Sequence, residues 1–165
     1  MKKIFVINGK PRSGKDTVVK MVGELVKTVN YDSVGKIKEL ALEAGWDGIK
    51  DEPARKMLSE LKRILKEYND LPYQWMSTAI ANFKQSDNQV MFLHVREPEE
   101  IKRLIDDFNV ETIFVSRKCI PEINSNESDA QVSKFSYDWL ISNDDSLDEL
   151  KKTVEQFVRE VVLCK

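Results

Sequence analysis

KKIFVINGKPRSGKDT, Lys2 to Thr17, is the stretch on which the reading of the whole chain turns. Ile4, Phe5, Val6 and Ile7 make an apolar run of the length of a buried strand, and Gly9 to Lys15 follow in the GxxxxGK spacing of a phosphate-binding loop. The glycines let the backbone curl so that several N–H groups converge on a phosphate. The helix expected after Lys15 turns the positive end of its dipole to the same point, and the Lys15 ammonium reaches the terminal phosphates. A bare GxxxxGK arises by chance in a chain of this length on the order of a few per cent of the time. The strand before it and the helical pattern after it therefore carry much of the weight. The expected ligand is a nucleoside triphosphate bound by Gly9, Lys10, Pro11, Arg12, Ser13, Gly14, Lys15, Asp16 and Thr17. One position departs from the pattern: the place after the lysine, normally a hydroxyl that ligates magnesium, is Asp16. A water-mediated contact of Asp16 with Mg2+ is the expectation in its stead.

At 165 residues the chain suits a single domain, 1–165, with room for a real core. Its 41% hydrophobic and 33% charged residues are those of an ordinary globular protein, and 26 basic against 28 acidic side chains leave no global field favouring nucleic acid or an anionic membrane. Two cysteines and one histidine are too few for a disulfide framework or a zinc cluster. The opening MKKIFVI is too short an apolar run for a signal peptide, and no stretch approaches the ~18 apolar residues of a membrane span. The expected setting is the cytoplasm, with a small molecule as partner rather than nucleic acid or membrane, and a monomer or homodimer as the assembly.

Beyond the loop, Val18, Met21, Val22, Leu25, Val26 and Val29 recur at helical spacing, a weak strand follows to Val34, and Ile37 to Ala44 suggest a short helix stopped by Gly45. From Glu52 a longer helix is expected to bury Met57, Leu58, Leu61, Ile64, Leu65 and Tyr68, to break at Asn69–Pro72 and to be followed by another over Tyr73–Phe83. Val90–Leu93 is a continuous apolar strand leading to His94 and Arg96; Pro98 opens a helix with Ile101, Leu104, Ile105 and Phe108 inward. Thr112–Val115 is a further strand delivering Arg117 and Lys118, and Cys119–Phe135 is polar and aperiodic, the pattern of a mobile loop. Tyr137–Ile141 is the last strand. Ser146 and Glu149 then stand at capping-box spacing before a helix with Leu147, Leu150, Val154, Phe157, Val158 and Val161 on its buried side. Alternating strands and helices predict an α/β fold, a five-stranded parallel sheet in three layers with helices on both faces, and ligands beyond the carboxyl ends of the strands.

Those ends collect the loop, Asp32 and Ser33, His94 and Arg96, Arg117 and Lys118, and Asn143 with Asp144. Phosphoryl transfer between two anions needs converging cations and little covalent help. The loop GKPRSGKDT, a strand ending in a short Arg motif, a basic segment after the next strand, and YDWLISND running into SLDEL together resemble the nucleoside monophosphate kinases of the P-loop NTPase fold. Within that group the chain is most similar to phage-type deoxynucleoside monophosphate kinases and phosphomevalonate kinases, whose loops also carry GKD.

The resemblance implies ATP and Mg2+ as cofactors, an acceptor-binding helical insertion at about 34–86 and a lid-like loop at about 117–136. It gives Lys15 and Arg12 to the donor and transferred phosphates, Arg96 to the acceptor phosphate and Arg117 to the lid, and makes Asp32, Ser33, Lys36, Lys50, Arg55, Tyr68, Asn69 and Asp70 candidates for acceptor binding. Trp46, Tyr68, Tyr73 and Trp75 are aromatics from which a base contact could come, although core packing explains such residues as well. Where these kinases often place an aspartate two residues before the strand-end arginine, this chain has His94. Three functions stay open: a (deoxy)nucleoside monophosphate kinase, a kinase of a non-nucleotide phosphorylated small molecule, and a nucleotide-binding regulatory protein with little catalysis.

Overall fold

The computed structural model describes residues 2–118 and 135–164. They divide into two compact units, one drawn from Met1–Asn30 and Ser86–Lys165 and the other Tyr31–Gln85. A five-stranded sheet in the order β2-β3-β1-β4-β5 organises the first, from β1 (Lys3–Gly9), β2 (Thr28–Asp32), β3 (Val90–His94), β4 (Glu111–Ser116) and β5 (Trp139–Ser142). β1 lies at the centre, parallel to β3 with Phe5 opposite Phe92 and parallel to β4 with Ile7 opposite Ile113; β5 continues the parallel ladder beside β4.

The reason β1 sits centrally is its composition. Phe5, Val6 and Ile7 are all wholly buried, and since neighbouring side chains on a strand point to opposite faces, both faces must be covered. On one face Phe5, Ile7, Phe92 and Ile113 meet Val18 and Val22 of α1 (Lys15–Leu25), Leu150 and Val154 of a closing helix Leu147–Phe157, and its π-helical extension Val158–Val162. On the other, Val6, Met91 and Leu93 are equally closed to solvent, as are Ile101 and Leu104 of the helix Pro98–Phe108.

The connection after β1 leads to β2 and β3 on one side, whereas those after β3 and β4 lead to β4 and β5 on the other. Adjoining strands β1 and β4 thus send their connections opposite ways, which opens a crevice at their carboxyl ends. No helix among the described residues is long and apolar enough to cross a membrane.

The second unit holds α2 (Gly35–Glu43), α3 (Glu52–Asn69) and α4 (Leu71–Gln85); the helix Pro98–Phe108 is then α5 and Leu147–Phe157 is α6. Asp51 caps α3, its side chain accepting from the Ala54 N–H at 2.8 Å, with Pro53 in the first turn.

Several expectations need correction. Met57, Ile64 and Tyr68 are 41%, 52% and 83% exposed, while Ala54 is buried and Leu58, Leu61 and Leu65 are half-buried. The buried stripe of α3 is therefore rotated from the one expected, because a long helix lying along a small unit closes only a narrow band of its surface. α4 begins at Leu71 rather than Tyr73: Asp70 alone, at φ 55°, turns the chain, and Pro72 occupies the first turn of the new helix. Leu25 and Leu147, expected inside, are 44% and 64% exposed. β5 starts at Trp139, since Asp138 is engaged sideways: its Oδ2 accepts from the Thr112 N–H at 2.8 Å and from the Thr112 hydroxyl at 2.7 Å. The loop expected at Cys119–Phe135, and the lid with it, lies almost wholly outside the described residues.

This Thr112–Asp138 ring ties β4 to the start of β5 at a site where Thr112 is buried. Asp138→Ala leaves the Thr112 donors without their acceptor and is expected to lower stability by about 1–2 kcal/mol, read as a lowered urea midpoint at unchanged m-value.

Candidate phosphate-binding site

β1 delivers Gly9 to the crevice, and the backbone there curls tightly. The Ser13 N–H donates to the Lys10 carbonyl at 3.0 Å, Arg12 and Gly14 both take left-handed conformations at φ 65° and 94°, and α1 begins at once, Val18 N–H bonding to the Gly14 carbonyl. Glycine is required at both ends of the curl. A Cβ at Gly9 would lie 2.4 Å from Ser13 Oγ and 2.7 Å from the Val115 carbonyl oxygen; one at Gly14 would lie 2.3 Å from Asn143 Nδ2. The first N–H groups of α1, at Lys15, Asp16 and Thr17, have no partner within the helix, which is what an anion at its N-terminus uses. Ser13 is buried, and its hydroxyl has no hydrogen-bond partner among the described residues.

The curl borders a cleft of about 560 Å³ that Arg96, Arg117, Asn143 and Leu147 also line. Arg96 and Arg117 are exposed, but their backbones are pinned by Asn8, Asn143 and Asp144. Asn8, buried beneath the loop, donates from Nδ2 to the Val95 carbonyl at 2.8 Å, fixing the chain between His94 and Arg96. The Asn143 N–H donates to the Ser116 carbonyl at 2.9 Å and Asp144 Oδ1 accepts the Lys118 N–H at 2.6 Å, so that Arg117 stands between two tethered neighbours. That bond, with a second from the Ser142 hydroxyl, holds the Asp144 carboxyl below the usual range. Asn143 also reaches the loop, its Nδ2 donating to the Ser13 carbonyl at 2.8 Å. An Asn–Asp pair directly after a strand was the available signal for these braces; it does not say where they reach.

Lys15 Nζ donates to Asp16 Oδ1 at 2.6 Å and lies 2.9 Å from His94 Nδ1. The hydrogen bond from Lys15, aided by its charge, lowers the Asp16 carboxyl against a smaller effect of burial. A lowered carboxyl is charged at all pH values above the ordinary carboxylate range, so the pair persists through neutrality and is lost only as pH falls through the lowered value. With the Asp16 side chain 90% exposed, solvent screens this pair and it adds little to stability.

Among the described residues no group of three or more His, Cys, Asp or Glu side chains could hold a metal ion. Mg2+ needs no such cage: it commonly takes one or two carboxylates and completes its shell with phosphate oxygens and water. Asp16, with the Thr17 hydroxyl beside it in sequence, fits that manner of binding.

The remaining candidates belong to the 31–85 unit, where several have local tasks. Asp32 accepts from the Val34 N–H at 3.1 Å and from Lys38 at 2.6 Å, next to Ser33 in the turn; Lys36 pairs with Glu39 at 2.6 Å. The Asn69 carbonyl accepts from Gln74 Nε2, and Asp70 forms the left-handed turn. Lys50, Arg55 and Tyr68 are exposed. Of the aromatics, Tyr73 is buried, Trp75 is half-buried, and Trp46 is half-buried with its Nε1 donating to the Ile49 carbonyl.

No protein-family model matches the chain and no curated protein sequence matches it. Solved structures do. TT1252 from Thermus thermophilus is 15% identical over 97% of this chain and 98% of its own, with a TM-score of 0.60. A dephospho-CoA kinase from Campylobacter jejuni is 14% identical over 99% and 98%, TM-score 0.58, and a tunicamycin resistance protein from Deinococcus radiodurans 13% over 98% and 96%, TM-score 0.54. At such identities the likeness shows the fold: a five-stranded parallel sheet with helices, the P-loop NTPase architecture found among kinases.

Gly14→Ala is expected to weaken ATP binding at least about tenfold in calorimetric titration, through left-handed strain plus the collision with Asn143. Adding Asn143→Ala removes the collision but also the bond to the Ser13 carbonyl, and leaves the strain, so the double variant should stay well below the unmodified affinity.

Proposed function

We propose that the protein is a kinase transferring the γ-phosphoryl group of ATP to a small phosphorylated acceptor, with a (deoxy)nucleoside monophosphate as the first choice. The observation that carries this reading is the convergence on one cleft of the phosphate-loop curl with Arg96 and Arg117, cations from the ends of two other strands. Two anions cannot approach without such charges, and the transferred group needs them most at the moment of transfer.

In this reading the loop N–H groups and Lys15 hold the β- and γ-phosphates, and Arg12 contacts the donor or the moving group. Arg96 orients the acceptor phosphate, one of whose oxygens attacks the γ-phosphorus. The bond from that phosphorus to the β–γ bridging oxygen breaks, ADP carries away the electron pair, and Arg117 balances charge on the group in transit. Asp16, through a water, would help to hold Mg2+ beside the phosphates, and the ion would supply neutralisation of part of their charge. Asp32, Ser33, Lys36, Lys50, Arg55, Tyr68, Asn69 and Asp70 are assigned to the acceptor, supported by the sequence resemblance and by the exposure of Lys50, Arg55 and Tyr68.

A non-nucleotide acceptor is the second reading, favoured by the likeness, at a TM-score of 0.50, to a protein described as a sugar kinase.

A coupled assay for ADP release across nucleoside monophosphates and phosphorylated alcohols decides between the two. Lys15→Ala is expected to abolish turnover; a Lys15→Ala enzyme with normal turnover sinks the proposal. Tight ATP binding with no transfer to any acceptor would favour a regulatory nucleotide-binding protein. Arg96→Ala should raise the acceptor KM about tenfold or more with a smaller change in the KM for ATP, as expected when a charged hydrogen bond to the acceptor is lost.

A further inference from the structure

An ammonium group has three donors and no acceptor. In Lys15 one donor meets Asp16 and another meets Nδ1 of His94 at 2.9 Å. For that contact to be a hydrogen bond from the ammonium, Nδ1 has to be the unprotonated ring nitrogen, with the ring proton on Nε2.

The two partners of Lys15 differ in kind. Asp16 is charged, and its side chain is 90% exposed, so its hold is screened and loose. His94 is half-buried at the end of β3, a strand buried from Val90 to Leu93 and followed by Val95, whose carbonyl is anchored by Asn8. The imidazole is thus the better-fixed of the two and brings no negative charge.

We propose that His94 is a positioning residue for Lys15, a neutral acceptor that fixes the ammonium at the cleft without cancelling the charge a phosphate chain requires. The proposal rests on the reading of the cleft as an ATP site. A carboxylate in the same place would grip the ammonium harder but compete with the incoming phosphate for its charge. A hydrocarbon side chain would leave the ammonium to Asp16 alone, drawn toward solvent.

The chain has one histidine, so its imidazole signals need no assignment. At about pH 8, where an ordinary histidine of pKa ~6.5 is neutral, nitrogen NMR of the unmodified protein should show the Nε2–H form, with an Nδ1 signal that moves in Lys15→Ala. An Nδ1–H ring, or an Nδ1 signal indifferent to Lys15→Ala, overturns the proposal without reference to nucleotide. Failure of the unmodified protein to bind ATP would instead overturn the reading beneath it. In calorimetric titration with ATP, His94→Leu should bind about three- to tenfold more weakly, the loss expected of one hydrogen bond. His94→Asn, whose Oδ1 can take the place of Nδ1, should stay within about twofold of the unmodified protein. A Leu variant that binds as the unmodified protein does, or an Asn variant that falls as far as Leu, overturns the assignment.

Discussion

Gly9 to Gly14 must curl without side chains at either end, and the rest of the site depends on that backbone constraint. Two left-handed residues, Arg12 and Gly14, turn the chain so that α1 can begin immediately with its unpaired N–H groups facing the cleft. Arg12 takes this conformation as a non-glycine residue, at a cost of roughly 1–2 kcal/mol, and such a conformation persists only where the surroundings over-determine it. Here they do. β1 is locked on both faces by the core, and Asn143 holds the Ser13 carbonyl from the far side of the sheet.

The same economy governs the cations. Arg96 and Arg117 are exposed residues, so assembling them near Lys15 carries no heavy desolvation penalty. What is ordered is the backbone beneath them, by Asn8 under Val95 on one side and by Asn143 and Asp144 around Arg117 on the other. Lys15 is half-buried and engaged by Asp16 and His94. At both places where the sequence departs from the usual magnesium-ordering pattern, Asp16 and His94, the structure puts a partner of this lysine.

Much of the architecture was legible because parallel strands buried on both faces leave continuous apolar runs, as at Phe5–Ile7 and Met91–Leu93, and because glycine punctuation is local. Helix faces were less legible. The periodicity of α3 is compatible with either of two adjacent stripes, and only packing selects Ala54, Leu58, Leu61 and Leu65 over Met57, Ile64 and Tyr68. Leu147 follows the same logic, since it lines the cleft instead of the core.

By itself the sequence determined the first buried strand, the loop chemistry after it and the alternation that makes the sheet parallel. Each is a property of neighbouring residues: a hydrophobic run, a glycine spacing, a period. The tertiary structure alone decided that Asn143 braces a loop 130 positions away, that Asn8 fixes the turn before Arg96, and that His94 faces Lys15 across 79 positions. These depend on strand order, since residues far apart in the chain become neighbours only when β3 and β4 take their places beside β1 and β5 beside β4.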